Sequence, residues 1–240
     1  MFADKTEVQL NFLLLLAMPI SSELSIKQDF PQLEQQKQAL FRHWKNSGLI
    51  SSDSLLEAFL AVPRELFVAP DFVEHSYADR PLPIDSGQTI SQPTTVMLML
   101  QLLEVLPGQR VLEIGSGSGY NAALLAKLAM LTGTVVTLER HMELVEQARE
   151  NLKLAGLQNV VVIAGDGKQG HARLAPYDRI IVTAAASQVP QDLKEQLAVG
   201  GLLVAPVGAT YGCEMLKLCK TSADHFQISS HGLFSFVPLV

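Results

Sequence analysis

Three glycines at alternate positions, Gly115, Gly117 and Gly119, follow a short aliphatic run and precede a helical pattern. Glycine allows positive φ and lets a backbone approach a ligand closely. The start of the helix adds free N–H groups and the positive end of a helix dipole, which suit an anionic group such as a carboxylate. The segment therefore predicts a turn between a strand and a helix that binds a small ligand.

Carboxylates stand at the ends of two further predicted strands. Glu139 comes 20 residues after Gly119, and its oxygens can accept hydrogen bonds from both hydroxyls of a ribose. Asp166 follows the next strand and can accept from an adenine amino group, while Gly167 allows close packing against the base. Each acid alone is also compatible with an ordinary turn. Because ligands of open parallel sheets bind beyond the carboxyl ends of the strands, the three strand ends together predict a nucleoside ligand.

The spacing of the glycines separates two classes of ligand. Dinucleotide-binding turns have the spacing G-x-G-x-x-G, whereas here the third glycine comes one position earlier and Glu113 stands two residues before Gly115. This E-x-G-x-G-x-G arrangement resembles the first motif of class I methyltransferases. A nicotinamide cofactor and a purely structural turn are the alternatives. The resemblance implies S-adenosyl-L-methionine as cofactor, bound by Glu113, Gly115, Ser116, Gly117, Glu139, Asp166 and Gly167.

A second segment bears on the acceptor of the methyl group. Residues 81–93 read PLPIDSGQTISQP, and VPRE stands at 62–65. With shorter matches downstream, such as GDG at 165–167 and FVPL at 236–239, they resemble the protein-L-isoaspartate O-methyltransferases from residue 33 onwards. The resemblance implies transfer of a methyl group to the free carboxylate of L-isoaspartyl residues in damaged proteins and peptides, which initiates their repair.

The same resemblance assigns roles within one loop. By position, Ser91 is the active-site serine, and Gln88, Thr89 and Ile90 lie beside the methyl donor. An acceptor carboxylate has a reference pKa near 4, so it is ionised at neutral pH and needs no general base. We therefore expect Ser91 to position the acceptor by hydrogen bonding rather than to act as a nucleophile. A capping role at the helix that begins at residue 93 or 94 is the structural alternative.

Four residues depart from the family pattern. Asp85 stands where glycine is common, Thr94 where an aromatic residue or histidine is common, and Lys168 and His171 where residues are often aromatic. If Asp85 points into the pocket, its charge weakens binding of an anionic acceptor. Two alternatives therefore stay open: a methyltransferase of the same fold with another acceptor, and a cofactor-binding homologue whose acceptor site has lost activity.

The elements that must position these residues alternate along the chain. Such alternation predicts an α/β fold, a doubly wound and mostly parallel sheet of the Rossmann-like methyltransferase type with helices on both faces. A C-terminal antiparallel hairpin is expected to close one sheet edge. The predicted strands are 110–114, 135–138, 160–164, 179–183, 202–205, 215–220 and 227–237, and the predicted helices are 33–44, 54–61, 94–106, 120–131, 142–155 and 191–199.

The chain divides into an extension, residues 1–32, and one methyltransferase domain, residues 33–240. Within that domain, 33–107 carries the N-terminal helices and the acceptor loop, and 108–240 the cofactor-binding sheet. The apolar run 10–20 is too short to span a bilayer and lacks the basic start of a signal peptide. A docked or loosely ordered extension is favoured over a targeting role, and translation from Met18 would remove most of the run.

The composition of the chain argues against several classes of partner and ligand. With 48% hydrophobic and 18% charged residues, the 240-residue chain can bury a sizeable core, and a net charge of −6 argues against nucleic acid as the main partner. Two cysteines make neither a disulfide framework nor a zinc site, and six histidines show no metal-ligand spacing, so no metal is expected. We expect a cytoplasmic monomer without membrane attachment, whose partners are isoaspartyl proteins and peptides.

Overall fold

The computed structural model describes residues 30–209 and 211–239, and its first three helices precede the sheet. They are α1 (Gln32–Ser47), α2 (Asp53–Ala61) and α3 (Pro93–Leu103). The hydroxyl of Ser52 caps α2 by accepting from the Leu55 N–H at 3.3 Å. Helix α3 is shorter than predicted because Glu104 has left-handed backbone angles, φ 52° and ψ 53°, which end the helix.

Tight turns connect α2 to α3. Short 3-10 segments occupy Arg64–Phe67, Pro70–His75 and Asp85–Gly87. Two-residue strands β1 (Leu82–Pro83) and β2 (Thr89–Ile90) pair antiparallel around the last of these. The loop that carries the candidate acceptor residues is therefore ordered by its own backbone hydrogen bonds.

The described residues also contain the strands β3 (Arg110–Ile114), β4 (Thr134–Glu139), β5 (Val160–Ala164), β6 (Tyr177–Val182), β7 (Leu197–Val207), β8 (Tyr211–Ser222) and β9 (His225–Ser235). Within the described residues, these seven strands form one sheet in the order β5-β4-β3-β6-β7-β8-β9. Strands β3 to β7 run parallel, and β8 and β9 form an antiparallel hairpin at one edge, so the predicted fold class is confirmed. The connecting helices are α4 (Tyr120–Ala129), α5 (Met142–Leu154) and α6 (Gln191–Gln196).

Alternate residues of the buried strands enter two separate hydrophobic clusters, because successive side chains of a strand point to opposite faces. Val111 belongs to the cluster shared with α1 to α5, and Leu112 and Ile114 belong to the cluster shared with Leu193 of α6. Both faces of the central strands are thus covered. This covering explains why these strands are apolar throughout rather than alternating between apolar and polar residues.

Several predicted boundaries differ from the observed ones, most of all at β7, which spans 197–207 rather than 202–205. At three predicted ends the structure shows a contact between residues distant in sequence. Helix α6 ends at residue 196 rather than 199, where Lys220 Nζ donates to the Leu197 carbonyl at 2.8 Å. Helix α4 ends before Met130, whose carbonyl accepts from Asn159 Nδ2 at 2.8 Å. Strand β9 ends at Ser235, and the chain then turns back towards β6.

The expectations for residues 1–29, including the apolar run 10–20, lie outside the described residues. Across 30–209 and 211–239, no helix is long and apolar enough to cross a membrane.

Candidate active site

A cavity lies at the carboxyl ends of β3, β4 and β6, the edge that the strand-end residues predict. It is lined by residues 115–118 and 139–141, which follow β3 and end or follow β4. The loop 88–91 and the tail 237–239, which are far apart in sequence, also line it. The fold thus brings together two segments that the sequence identifies separately, the glycine loop (residues 115–119) and the acceptor loop (residues 88–91).

The glycine loop has the backbone that the sequence predicts, with φ of 95°, 50° and 90° at Gly115, Gly117 and Gly119. At Gly115 a Cβ would also lie 2.4 Å from Thr183 Oγ1 on the neighbouring strand end. Glycine is therefore required there by backbone conformation and by packing within the protein, before any ligand is considered. Gly115, Ser116 and Gly117 all line the cavity.

Glu139 lies beside this loop, where its carboxylate holds three backbone N–H groups. One oxygen accepts from Gly117 N at 3.0 Å, and the other accepts from Arg140 N at 2.8 Å and His141 N at 3.0 Å. The residue is 6% exposed and lines the cavity. A carboxylate has about four acceptor sites, so one that already fixes the loop can still accept from a ligand hydroxyl.

Glu113 differs from its expected position, since it does not line the cavity. It is fully buried, and its oxygens accept from Asn121 Nδ2 at 2.7 Å and Thr137 Oγ1 at 2.5 Å. Thr137 also shares a hydrogen bond with Ser116 Oγ at 2.6 Å. Burial raises the pKa of Glu113 from 4.5 to about 7, against the opposing effect of the two hydrogen bonds. Glu113 therefore supports Ser116 and Asn121, which line the cavity, rather than facing a ligand itself.

Asp166 is exposed, and its side chain accepts from the Lys168 N–H at 2.9 Å. The neighbouring glycines, Gly165 and Gly167, line the cavity, whereas Asp166 does not. At Gly167 a Cβ would lie 2.2 Å from Ile114 Cγ2, so only glycine fits there. Of the two residues predicted to contact adenine, Gly167 lines the cavity, whereas Asp166 lies outside the lining.

The acceptor loop contributes Gln88, Thr89, Ile90 and Ser91 to the cavity wall, as the sequence predicts. The alternative role of Ser91 as a helix cap is wrong, because Gln92 is the capping residue of α3 and makes no side-chain cap bond. Asp79 instead accepts from the Thr94 N–H at 2.9 Å and so satisfies the helix start. The Ser91 hydroxyl is therefore not needed for helix capping.

The departures from the family pattern lie away from the cavity lining. Thr94 Oγ1 accepts from Trp44 Nε1 at 2.8 Å and donates to Asp79 at 2.7 Å, a network that ties α1 to α3. Asp85 is exposed, and its φ is not positive, so the absence of glycine there causes no backbone strain. Lys168 and His171 also lie outside the lining. Asp85 is outside the cavity lining, so the condition under which its charge would weaken acceptor binding is not met.

Several lining residues were not among the predicted site residues. Tyr120 and Asn121 begin α4, and Thr183 follows β6. The tail reaches the cavity because the Ala185 N–H donates to Val237 O, and the Leu239 N–H donates to Ala185 O, both at 2.7 Å. The FVPL motif was a usable signal for this segment, but no local pattern indicated that it would lie against β6.

The chain is similar to known proteins over most of its length. The family model described as protein-L-isoaspartate(D-aspartate) O-methyltransferase (PCMT) matches residues 35–240. A protein-L-isoaspartate O-methyltransferase of Pyrococcus horikoshii is 44% identical over 209 residues, which cover 84% of this chain and 94% of the relative. The enzyme of the same name from Ignicoccus hospitalis is 46% identical over 209 residues, covering 87% and 99% of the two chains.

Two solved structures resemble the fold over most of its length. A protein-L-isoaspartate O-methyltransferase superposes with a TM-score of 0.77 at 30% identity, covering 84% of this chain and 65% of that longer chain. The crystal structure of a Plasmodium falciparum chain assigned to this family, in complex with S-adenosyl-L-homocysteine, has a TM-score of 0.75 at 30% identity and covers 84% of this chain and 97% of that chain.

Proposed function

The chain belongs to the protein-L-isoaspartate(D-aspartate) O-methyltransferase family, and we propose that its cavity places an acceptor carboxylate at Ser91 beside a cofactor bound along the glycine loop. It is an S-adenosylmethionine-dependent enzyme that methylates the free carboxylate of L-isoaspartyl residues in damaged proteins and peptides. The observation that carries the proposed arrangement is that one cavity is lined by both the acceptor loop and the glycine loop.

The residues present fit S-adenosylmethionine, which when bound supplies an electrophilic methyl group on a sulfonium. Glu139 presents a carboxylate at the strand end where ribose hydroxyls need acceptors. The start of α4 adds N–H groups that suit the anionic end of an amino acid. We propose that Gly115, Ser116, Gly117, Glu139 and Gly167 contact the cofactor, that Asp166 reaches its adenine from the cavity edge, and that Glu113 acts indirectly.

We propose that Ser91 positions the acceptor by donating a hydrogen bond to its carboxylate. The acceptor is ionised at neutral pH, so the chain needs no residue to remove a proton from it. Val96 and Met99 of α3 and Leu239 of the tail add apolar surface to the cavity, which excludes water and strengthens interactions between charges. The contribution of this chain is therefore alignment and desolvation rather than acid–base chemistry.

Replacing Ser91 with alanine should lower kcat/KM for an isoaspartyl peptide about tenfold, because one hydrogen bond to a charged group is lost. The affinity for S-adenosyl-L-homocysteine should be unchanged. The measurement is methyl transfer from radiolabelled donor to paired peptides that differ only in aspartyl or isoaspartyl linkage. Ser86→Ala is the matched control, because that serine lies on the same loop but bonds Glu143 of α5 at 2.9 Å.

Wild-type activity decides between the possible acceptors in the same experiment. Label in the isoaspartyl peptide alone supports the proposal, whereas equal label in both peptides indicates a different acceptor specificity. Cofactor binding without label in either peptide indicates a binding protein rather than an enzyme. Full kcat/KM in Ser91→Ala would remove Ser91 from the acceptor site.

Asp85→Gly should leave KM for the isoaspartyl peptide within about twofold of wild type, since an exposed charge in water interacts weakly with a bound ligand. Asp85 is exposed and does not line the cavity. Initial-rate kinetics at low and moderate ionic strength test this expectation. A KM that falls severalfold, and does so only at low salt, would show that the charge of Asp85 acts on the acceptor after all.

We propose that residues 33–240 form a single domain and that the enzyme is a cytoplasmic monomer that does not bind nucleic acid. The unpaired cysteines, Cys213 and Cys219, support a reducing compartment. Limited proteolysis, cell fractionation and light scattering of the purified chain test the domain, the compartment and the oligomeric state. A dimeric mass at micromolar concentration would contradict the last of these.

A further inference from the structure

Arg64 is a fully buried residue whose guanidinium joins two separate turns. Its Nε donates to the Ser76 carbonyl at 2.7 Å, and its Nη2 donates to the Ser91 carbonyl at 2.8 Å. Its backbone N–H donates to the Tyr77 hydroxyl at 3.2 Å. The planar fork of an arginine can make both carbonyl bonds at once, which a lysine cannot do in the same geometry.

The guanidinium also lies against the glycine-loop side of the cavity. Its Cζ is 4.8 Å from the centre of the Tyr120 ring, and Tyr120 is the first residue of α4, directly after Gly119. Both Ser91 and Tyr120 line the cavity, whereas Arg64 lies behind them. Arg64 therefore contacts the acceptor loop and the residue that directly follows the glycine loop, the two segments that the proposed reaction must hold at a fixed separation.

Charge balance does not explain the burial of this side chain. Among residues 30–209 and 211–239, Arg64 forms an ion pair with no carboxylate, and its Nη1 has no hydrogen-bond partner. The carboxylate of Asp79, which accepts hydrogen bonds from Thr94, acts on Arg64 only at longer range. A buried cation without a paired anion is costly, so its carbonyl bonds and ring contact must offset that cost.

We propose that Arg64 is a positioning residue that sets the separation between the acceptor at Ser91 and the cofactor on the glycine loop. This inference rests on the proposed function of Ser91. A shift of the acceptor loop away from the glycine loop leaves each binding surface intact but misaligns the reacting groups. Misalignment of that kind lowers the rate of the chemical step more than it weakens binding.

The test compares Arg64→Lys and Arg64→Met with wild type, using an isoaspartyl peptide with S-adenosylmethionine for rates and S-adenosyl-L-homocysteine for binding. In both variants we expect kcat to fall about tenfold or more, while the peptide KM and the Kd for S-adenosyl-L-homocysteine change less than about threefold. Lysine should not rescue kcat, because it keeps the charge but loses the fork. Hydrogen exchange at the amides of residues 89–92 should become faster in both variants.

Arg179 provides a matched control. It is 8% exposed, and its guanidinium also holds backbone carbonyls, those of Glu104 at 3.0 Å and Asp178 at 2.9 Å, away from the cavity lining. Arg179→Lys should lower the melting temperature without changing kcat.

Two results would overturn the inference. One is a loss of kcat in Arg179→Lys equal to that in Arg64→Lys, and the other is an Arg64→Lys variant with the kcat and the hydrogen-exchange rates of wild type. Inactive wild-type enzyme that still binds the cofactor analogue would instead refute the proposed function. Arg64→Lys keeps a cation in the core, so it provides a result even if Arg64→Met does not fold.

Discussion

Replacing Glu139 with alanine is expected to raise the Kd for S-adenosyl-L-homocysteine about 30-fold, because a charge-assisted hydrogen bond to a ribose hydroxyl would be lost. The structure adds a second reason for a large effect. The same carboxylate accepts from Gly117, Arg140 and His141, so its removal also frees the glycine loop. Isothermal titration measures the affinity, and melting curves report the loss of the loop contacts.

The control for this substitution is Glu146→Ala, which removes an exposed carboxylate of α5 and causes the same change of net charge. Its affinity for the cofactor analogue should match that of wild type. Glu139→Gln should fall between wild type and alanine, since an amide keeps one acceptor oxygen but places a donor beside backbone N–H groups. A Kd for Glu139→Ala within threefold of wild type would rule out a ribose contact.

Glu113→Gln is expected to remove a pH dependence of stability worth about 3 kcal/mol. Burial raises the pKa of this carboxyl from 4.5 to about 7 in the folded chain, so the folded state holds the proton more tightly than the unfolded state. The resulting stabilisation is fully present below pH 4.5 and is lost as the pH rises through about 7. Glutamine mimics the protonated acid and can accept from Asn121 while donating to Thr137.

The measurement is urea unfolding of wild type and Glu113→Gln at intervals from pH 4.5 to 8. The difference in free energy of unfolding should shift in favour of the variant as the pH rises, and Glu146→Gln should show no such shift. If the free energies of unfolding of wild type and Glu113→Gln changed in parallel with pH across this range, a raised pKa of Glu113 would be contradicted. The same substitution should change cofactor affinity little, because Glu113 acts through Ser116 and Asn121.

Local sequence patterns were sufficient to predict the sheet and the edge of the sheet at which the site lies. The alternation of aliphatic runs with helical segments predicts parallel strands covered on both faces, and parallel strands bring their carboxyl ends to one edge. Gly115, Gly117 and Glu139 are placed by that rule alone. The acceptor loop 88–91 was identified by its family resemblance, and the structure puts it on the same cavity.

The carboxylates at the predicted strand ends point in different directions. Glu113 precedes Ile114 on β3, and the alternation of side chains turns it towards Thr137 and Asn121, away from the cavity. Asp166 sits at the predicted strand end, yet its side chain accepts from Lys168 on the exposed side of its own turn. A strand-end position therefore indicates the right edge of the sheet without indicating which carboxylate faces a ligand.

The remaining features of the site depend on contacts between distant parts of the chain. The tail reaches the cavity only because Val237 and Leu239 pair with Ala185, and Arg64 reaches the acceptor loop only because its fork bonds to Ser91. Periodicity and spacing are properties of neighbouring residues, so they predict elements and strand ends. The partner of a buried polar group is selected by the packing of whole elements, and the tertiary structure was needed to find it.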